Sequence, residues 1–161
     1  MNNTISQAKN LGFKKQEVSD LVESLNNLLA NYQVHYQKLR NFHWNVKGPD
    51  FFELHEQFEQ DYNTVKLNID VLAERIRIFG ARPLSTLSEY LSRATIKEQN
   101  EHISSEEMVA EIISDYENLL TNIVNGLELA ATAGDSATHN MLTQWSEQIE
   151  KRHWMFTAWL S

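Results

Sequence analysis

Residues 43–74 read HWNVKGPDFFELHEQFEQDYNTVKLNIDVLAE, and the pattern of this stretch decides the fold. The Gly48-Pro49 pair interrupts the chain, since neither residue suits the interior of a helix. After it, apolar residues recur every three or four positions as far as Gly80, which is the period of a helix with one buried face. The stretch therefore predicts a turn followed by one long helix.

Capping patterns mark the starts of other helices. Glu53 stands three residues after Asp50, which is the spacing of a capping box at the start of this long helix. The same spacing recurs after Ser104. Asp135 or Ser136, directly after a glycine, is placed to cap a last helix.

Long helices dominate the expected architecture, because only 5 Gly and 2 Pro occur in 161 residues. Residues 81–103 form a long connection in which Thr86 to Leu91 predicts a short extra helix. Four long helices with one long connection in the middle predict an all-α fold, a four-helix bundle of the ferritin-like arrangement. We expect residues 1–15 to form an N-terminal arm and residues 16–161 the bundle domain. The long helices are expected at about residues 19–46, 50–80, 104–133 and from 135 or 136 to the C-terminal region.

Composition excludes several kinds of function. With no Cys, the chain has no disulfide framework, thiolate metal site or thiol catalysis. It has no apolar run of signal-peptide or membrane-spanning type, so a soluble cytoplasmic protein without membrane contact is expected. The formal net charge of -8 repels nucleic acid and attracts cations, although it is also ordinary for a soluble protein.

Five side chains of the opening stretch are candidate metal ligands: His43, His55, Glu59, Asp70 and Glu74. Imidazole nitrogens and carboxylate oxygens suit a first-row transition metal such as iron, and zinc or manganese also fits. His55 and Glu59 are four residues apart and so share a helix face, as do Asp70 and Glu74.

These pairs have alternative interpretations. A histidine on an amphipathic helix is commonly a packing residue. The acidic pair also fits a solvated surface network, in which Arg75 and Arg77 relieve the repulsion between its carboxylates. A further match, Glu150 with His153, resembles half of the Glu-x-x-His pair used inside di-iron bundles. That design requires a second such motif, which the chain lacks, so we expect these two residues at the surface or at an interface.

The spacing of the two pairs poses a geometric problem. His55 and Asp70 are fifteen residues apart, so one helix separates them by roughly 22 Å. A metal ion with bonds of about 2 Å cannot be held by both pairs of the same chain. Either the pairs are two half-sites, or a second copy of the protein completes each site.

The chain resembles the Dps family, small ferritin-like proteins of starved or oxidatively stressed bacteria, over nearly its whole length. The family's ferroxidase motif is a His-Trp pair, a His twelve residues later, an acid four further on, and Asp-x3-Glu-Arg beyond. This chain departs from it at Glu59, where many members have Asp, a change that keeps the carboxylate but lengthens its reach. The resemblance is carried by NFHWNVKGPDFFELHEQFE (41–59), IDVLAERI (69–76), ARPLSTLSEYL (81–91) and HWMFTAWL (153–160).

The resemblance implies an iron site shared between two subunits. His43, His55 and Glu59 would come from one chain, and Asp70 with Glu74 from its partner across a two-fold axis. If two copies of the second helix cross antiparallel, the midpoint of these groups lies near residues 64 and 65, so we expect the axis to pass near Thr64 and Val65.

The resemblance also implies an activity. It is the oxidation of Fe(II), preferentially with hydrogen peroxide and more slowly with dioxygen, and storage of ferric mineral in a hollow shell of twelve subunits. Trp44 would act at the site as a sacrificial electron donor, or else be a core aromatic. Asp135 would line an iron-entry pore, with His139 a weaker contributor and Asn140 standing where some members have an acid, or would simply cap a helix.

Two other functions remain open from the sequence. One is a DNA-compacting stress protein without catalysis, but Lys9, Lys14 and Lys15 are the only charges of the N-terminal arm, so we expect DNA binding to be weak or absent. The other is a non-catalytic helical adhesin or antigen, in which the ligand residues would not matter.

Overall fold

The computed structural model describes residues 8–100 and 102–161, with the side chains of residues 9, 10 and 15–17 outside the description. In these residues it contains helices and no strand, which confirms the all-α prediction. A short 3₁₀ helix at Ala8–Leu11 comes before the α-helices. The α-helices are α1 (Lys15–Asn45), α2 (Phe51–Ile78), α3 (Leu87–Arg93), α4 (Ser105–Ala133) and α5 (Ser136–Leu160).

Two antiparallel hairpins make up the bundle. In the first, the rings of Tyr36 and Tyr62 lie 6.2 Å apart and those of His43 and His55 lie 3.7 Å apart, so α1 and α2 run in opposite directions. The second hairpin joins α4 to α5 through Gly134, whose φ of 68° is a left-handed conformation that suits glycine. The interface between the helices is filled by buried leucines, isoleucines and aromatic side chains.

The long connection runs the length of the bundle. Because α1 is also antiparallel to α4, with His35 opposite Asp115, the helices α2 and α4 run in the same direction. The chain must therefore travel from one end of the bundle to the other between them. Side-chain hydrogen bonds from α1 hold this segment: Asn26 accepts from Leu84 N at 2.8 Å, and Asn31 accepts from Ile96 N at 2.9 Å. The ferritin-like crossover is confirmed.

Most of the predicted helix caps are present. Ser104 and Glu107 form the predicted capping box, and Asp135 caps α5 by accepting from the backbone of Thr138. The box predicted at Asp50 is wrong, since its side chain makes no capping hydrogen bond. The backbone explains this: Asp50 has φ of -90° and ψ of 8°, whereas a capping residue typically has the extended conformation that Ser104 adopts.

The N-terminal region joins the bundle earlier than predicted. The first helix begins at Lys15 rather than near Ser19, and Val18 is fully buried. The ring of Phe13 packs edge-on against Phe79 at 5.7 Å. Residues 1–7 of the predicted arm, and the side chains of residues 9 and 15, lie outside the described residues, so the boundary at residue 15 stays a prediction.

Candidate metal centre

His43 and His55 lock each other in place where the first hairpin closes. His43 Nδ1 lies 2.8 Å from the carbonyl oxygen of His55, and His55 Nδ1 lies 2.7 Å from the carbonyl oxygen of His43. The two rings are stacked, with centroids 3.7 Å apart and an interplanar angle of 20°. The His43 carbonyl is free for this role because it belongs to the last turn of α1, whose carbonyls have no partner within the helix.

This arrangement fixes which nitrogen of each histidine is available. A carbonyl oxygen only accepts hydrogen bonds, so Nδ1 of each ring carries the proton and donates it. Nε2 is then left with its lone pair, which is the form that binds a metal ion. The two rings are thus prepared for metal binding by their own backbone.

Glu59 completes a group of three potential ligands. Its carboxylate and the ring nitrogens of His43 and His55 lie within 4.8 Å of one another, and this is the only such group of His, Cys, Asp and Glu among the side chains that the structure describes. His43 is buried, His55 is half-buried and Glu59 is exposed. The group therefore lies at the surface of the chain.

Tyr62, which is not among the predicted ligands, contacts this group. Tyr62 Oη donates to Glu59 Oε1 at 3.3 Å, and its ring stands edge-on to that of His43 at 5.3 Å. Burial, followed by the adjacent Glu59 carboxylate, raises the pKa of Tyr62, so the hydroxyl stays protonated and keeps donating. The three-residue spacing on one helix is the signal that would have identified Tyr62.

Asp70 and Glu74 lie on the same helix as His55, too far away to join it. Since α2 is continuous from Phe51 to Ile78, the rise of about 1.5 Å per residue separates residues 55 and 70 by roughly 22 Å. Both carboxylates are exposed. One described chain thus holds two separate sets of candidate ligands.

Arg75 and Arg77 do not form the surface network that was the alternative interpretation of Asp70 and Glu74. Arg75 turns instead to the start of α5, where its Nη2 donates to Asp135 at 2.6 Å. Arg77 donates to the carbonyl oxygen of Ala81 at 2.9 Å. The alternative interpretation as an arginine-relieved network is therefore wrong for these residues.

Trp44 is not a core aromatic, which corrects one of its two interpretations. Its side chain is 57% exposed, and the guanidinium of Arg40 lies 4.7 Å from the centre of its ring. It borders a groove of about 450 Å³ between α1 and α3, together with Leu87 and Leu91. Leu87 is also exposed, so this apolar groove is uncovered in the single chain.

Asp135 has a structural role that limits its use as a pore acid. It is buried, it caps α5, and it pairs with Arg75. Burial acts to raise the pKa of Asp135, but hydrogen bonds from Arg75 and Thr138 outweigh it and lower the pKa. The helix-cap interpretation is confirmed, while iron entry stays a prediction that this ion pair weakens. The neighbouring His139 and Asn140 are exposed.

The Glu150 and His153 motif does not form an internal metal site. Glu150 is exposed and accepts from Ser146, while His153 Nε2 lies 3.3 Å from Glu117 on α4. Neither belongs to a group of three ligands among the described residues. The expectation that these side chains lie at the surface is confirmed.

Comparison with known proteins agrees with the fold. The family model of the ferritin-like domain matches residues 22–161. A crystal structure of a Dps protein from Vibrio cholerae O1, described as a member of a broad superfamily of ferritin-like diiron-carboxylate proteins, superposes with a TM-score of 0.88 at 41% identity. That superposition covers 91% of this chain and 92% of the other. The chain is therefore a ferritin-like protein.

Relatives found by sequence identify the family to which the chain belongs among ferritin-like proteins. The DNA protection during starvation protein 2 of Bacillus anthracis is 40% identical over 141 residues, which cover 88% of this chain and 97% of the relative. General stress protein 20U of Bacillus subtilis is 41% identical over 140 residues, with 87% and 97% covered. The chain belongs to the Dps family. None of the described helices combines the length and apolar character of a membrane-spanning segment.

Proposed function

We propose that the protein oxidises Fe(II) at sites shared between two subunits and stores the ferric product in a hollow shell of twelve chains. The observation that carries this proposal is the prepared group of His43, His55 and Glu59, which is open at the surface and short of ligands. The missing carboxylates, Asp70 and Glu74, are exposed on the same helix, where a second copy can present them.

The outer face of α2 supports an antiparallel pairing of two chains. Leu67 is 66% exposed and lies between the two sets of ligands, and Val71 is 46% exposed and follows Asp70 directly. Pairing two such helices would bury both apolar side chains and would place residues 55–59 of one chain opposite residues 70–74 of the other. The two-fold axis would then pass near Thr64 and Val65, and symmetry would give two identical sites in each dimer.

The proposed chemistry uses iron as substrate. Two Fe(II) ions each give one electron to one molecule of hydrogen peroxide, which takes up two protons and leaves as two water molecules. Taking both electrons at one site avoids the release of hydroxyl radical, and dioxygen is the slower oxidant. The chain's own part is to orient the imidazoles through their carbonyl partners and to supply carboxylates that favour Fe(III). Trp44, exposed beside His43, would serve as a sacrificial electron donor.

The iron-loading experiment tests this function directly. Wild-type protein supplied with Fe(II) and hydrogen peroxide is expected to oxidise the iron rapidly and to retain it in a large assembly during size-exclusion chromatography. The Asp70→Asn/Glu74→Gln variant keeps the size of both side chains but removes both charges, so we expect its oxidation rate to fall at least about tenfold. Equal rates in the two assembled proteins would contradict the assigned site.

DNA binding is proposed to be weak or absent. Among the described residues, Lys38, Arg75 and Arg152 are turned into ion pairs with acids, which removes them from the surface charge available to phosphate. In a gel-retardation series, we expect any complex formed at 20 mM salt to disappear by about 150 mM salt. A complex that persists at the higher salt would favour the DNA-compacting alternative.

A further inference from the structure

The centre of the bundle contains polar and charged side chains from all four long helices. His35 comes from α1, Asp61 from α2, Asp115 from α4 and Arg152 from α5. His35, Asp61 and Asp115 are buried, and the side chain of Arg152 is only 19% exposed. This is the region where ferritin-like di-iron proteins that bind metal within one bundle place their ligands.

The charges in this region already compensate one another. Asp115 Oδ1 accepts from Lys38 Nζ at 2.8 Å, and its Oδ2 accepts from His35 Nδ1 at 2.9 Å. Asp61 Oδ2 accepts from Arg152 at 2.9 Å and from Tyr116 Oη at 2.6 Å. Lys38 and Arg152 already bind the two carboxylates that a metal ion would need as ligands. The region therefore has no uncompensated charge that would attract an ion of either sign.

Three buried side-chain atoms of the described residues have no hydrogen-bond partner: Arg152 Nε, His35 Nε2 and Tyr32 Oη. Arg152 Nε lies 2.7 Å from Asp61 Oδ1, so the ion pair compensates it. The other two atoms, His35 Nε2 and Tyr32 Oη, belong to residues that are at most 1% exposed. The side chain of Asn68 lies beside the Tyr32 hydroxyl without the geometry of a hydrogen bond. Leaving such a group unpaired costs about 1–3 kcal/mol, so a native structure normally satisfies it.

Tyr32 and His35 both line a cavity of about 40 Å³. Its lining includes Tyr32, His35, Asp61 and Asn68, with Thr64 at its exposed edge on α2. A water molecule needs roughly 10–15 Å³ by this kind of measure, together with two to four polar partners. The cavity thus has room for at least one water molecule and the polar groups to bind it.

The protonation of the two atoms defines the ligand. His35 Nδ1 donates to the Asp115 carboxylate, and in the neutral ring His35 Nε2 then carries a lone pair and requires a donor. The Tyr32 hydroxyl, whose pKa is raised by burial, keeps its proton and requires an acceptor. A single molecule that donates to one and accepts from the other satisfies both.

We propose that the bundle centre is a built binding site for a neutral hydrogen-bonding molecule, water, which donates to His35 Nε2 and accepts from Tyr32 Oη. The site is separate from the iron site of His43, His55 and Glu59, and does not depend on it. It fills with solvent the position between the four helices that an internal metal centre would otherwise occupy.

The first test is a high-resolution crystal structure of the whole protein, grown with and without Zn(II). We expect a water molecule within about 3.2 Å of both His35 Nε2 and Tyr32 Oη in both crystals. An empty cavity overturns the proposal, and so does zinc density bonded to His35 Nε2.

The second test is thermodynamic and does not depend on crystals. If water bridges the two atoms, Tyr32→Phe breaks the bridge and should lower Tm by about 2–4 °C at a fixed scan rate and protein concentration. If the cavity is dry, the same substitution removes an unpaired hydroxyl and raises Tm, which overturns the proposal. Tyr90→Phe is the matched control, because Tyr90 Oη donates directly to Leu84 O at 2.9 Å and its loss should lower Tm.

Discussion

Two inactive variants should restore iron oxidation when their chains assemble together. The first carries His43→Ala and His55→Ala, and the second carries Asp70→Ala and Glu74→Ala. Each alone lacks two of the five ligands at every proposed site, so neither should oxidise Fe(II) faster than the uncatalysed reaction. Unfolded together at equal concentration and refolded, they are expected to reach about a quarter of the wild-type initial rate.

The expected fraction follows from symmetry. Random pairing makes half of the dimers mixed, and a mixed dimer has two unlike sites. One site combines both sets of substitutions, while the other combines intact histidines from one chain with intact carboxylates from its partner. One site of two in about half of the dimers gives about a quarter of the sites.

The measurement is the initial rate of Fe(III) formation after hydrogen peroxide is added, in mixtures that cover a range of ratios. The rate should pass through a maximum at equal amounts of the two chains. A tag on one variant verifies that mixed assemblies have formed, and size-exclusion chromatography verifies their size. Verified mixed assemblies with no gain in rate would show that the site is not shared between subunits.

Local sequence patterns were sufficient to predict most of the fold. Scarce glycine and proline, apolar side chains at helical spacing and the Ser104 capping box gave five helices close to their observed bounds. The predictions that were wrong concern the starts of helices, where the backbone conformation decides whether a capping hydrogen bond can form. Whether Asp50 and Glu53 form a capping box depends on the backbone of Asp50, which is not in the extended conformation typical of a capping residue.

The candidate ligands could be identified from their spacing in the sequence, but the hydrogen bonds that orient the two histidines could not. His43 and His55 are twelve residues apart in sequence. Each ring can donate to the other residue's carbonyl group only after the α1–α2 hairpin has closed. Likewise, the Arg75 side chain pairs with Asp135, which is 60 residues further along the sequence. Spacing along one helix does not show which of two nearby elements a long side chain will contact.

Removing the central arginine should cause a large loss of stability. Arg152→Met leaves the Asp61 carboxylate buried with no cation, although its hydrogen bond from Tyr116 remains. Breaking a buried ion pair from one side typically costs 3–5 kcal/mol, and the partial exposure of Arg152 favours the lower end, about 3 kcal/mol. Guanidinium unfolding followed by circular dichroism, at a fixed protein concentration, measures this loss.

A second substitution distinguishes an unpaired charge from a packing defect. Asp61→Asn in the Arg152→Met background keeps an acceptor for Tyr116 and removes the charge, so it should recover most of the loss. Arg82→Met is the matched control, because Arg82 is 58% exposed and pairs with Glu89 at the surface, where a pair contributes at most about 1 kcal/mol. If the double variant is as unstable as Arg152→Met, the loss comes from packing rather than from the charge.

The same variants should differ in their dependence on pH. Burial raises the pKa of Asp61 even with Arg152 beside it, and removing Arg152 takes away the main cause that lowers it. An acid whose pKa is higher in the folded state binds its proton there first, so the folded state gains stability as the pH falls. The deficit of Arg152→Met relative to wild type should therefore be smaller at pH 5 than at pH 7. The deficit of Asp61→Asn/Arg152→Met should not shrink between pH 7 and pH 5, because that variant has no carboxyl group at position 61 to titrate.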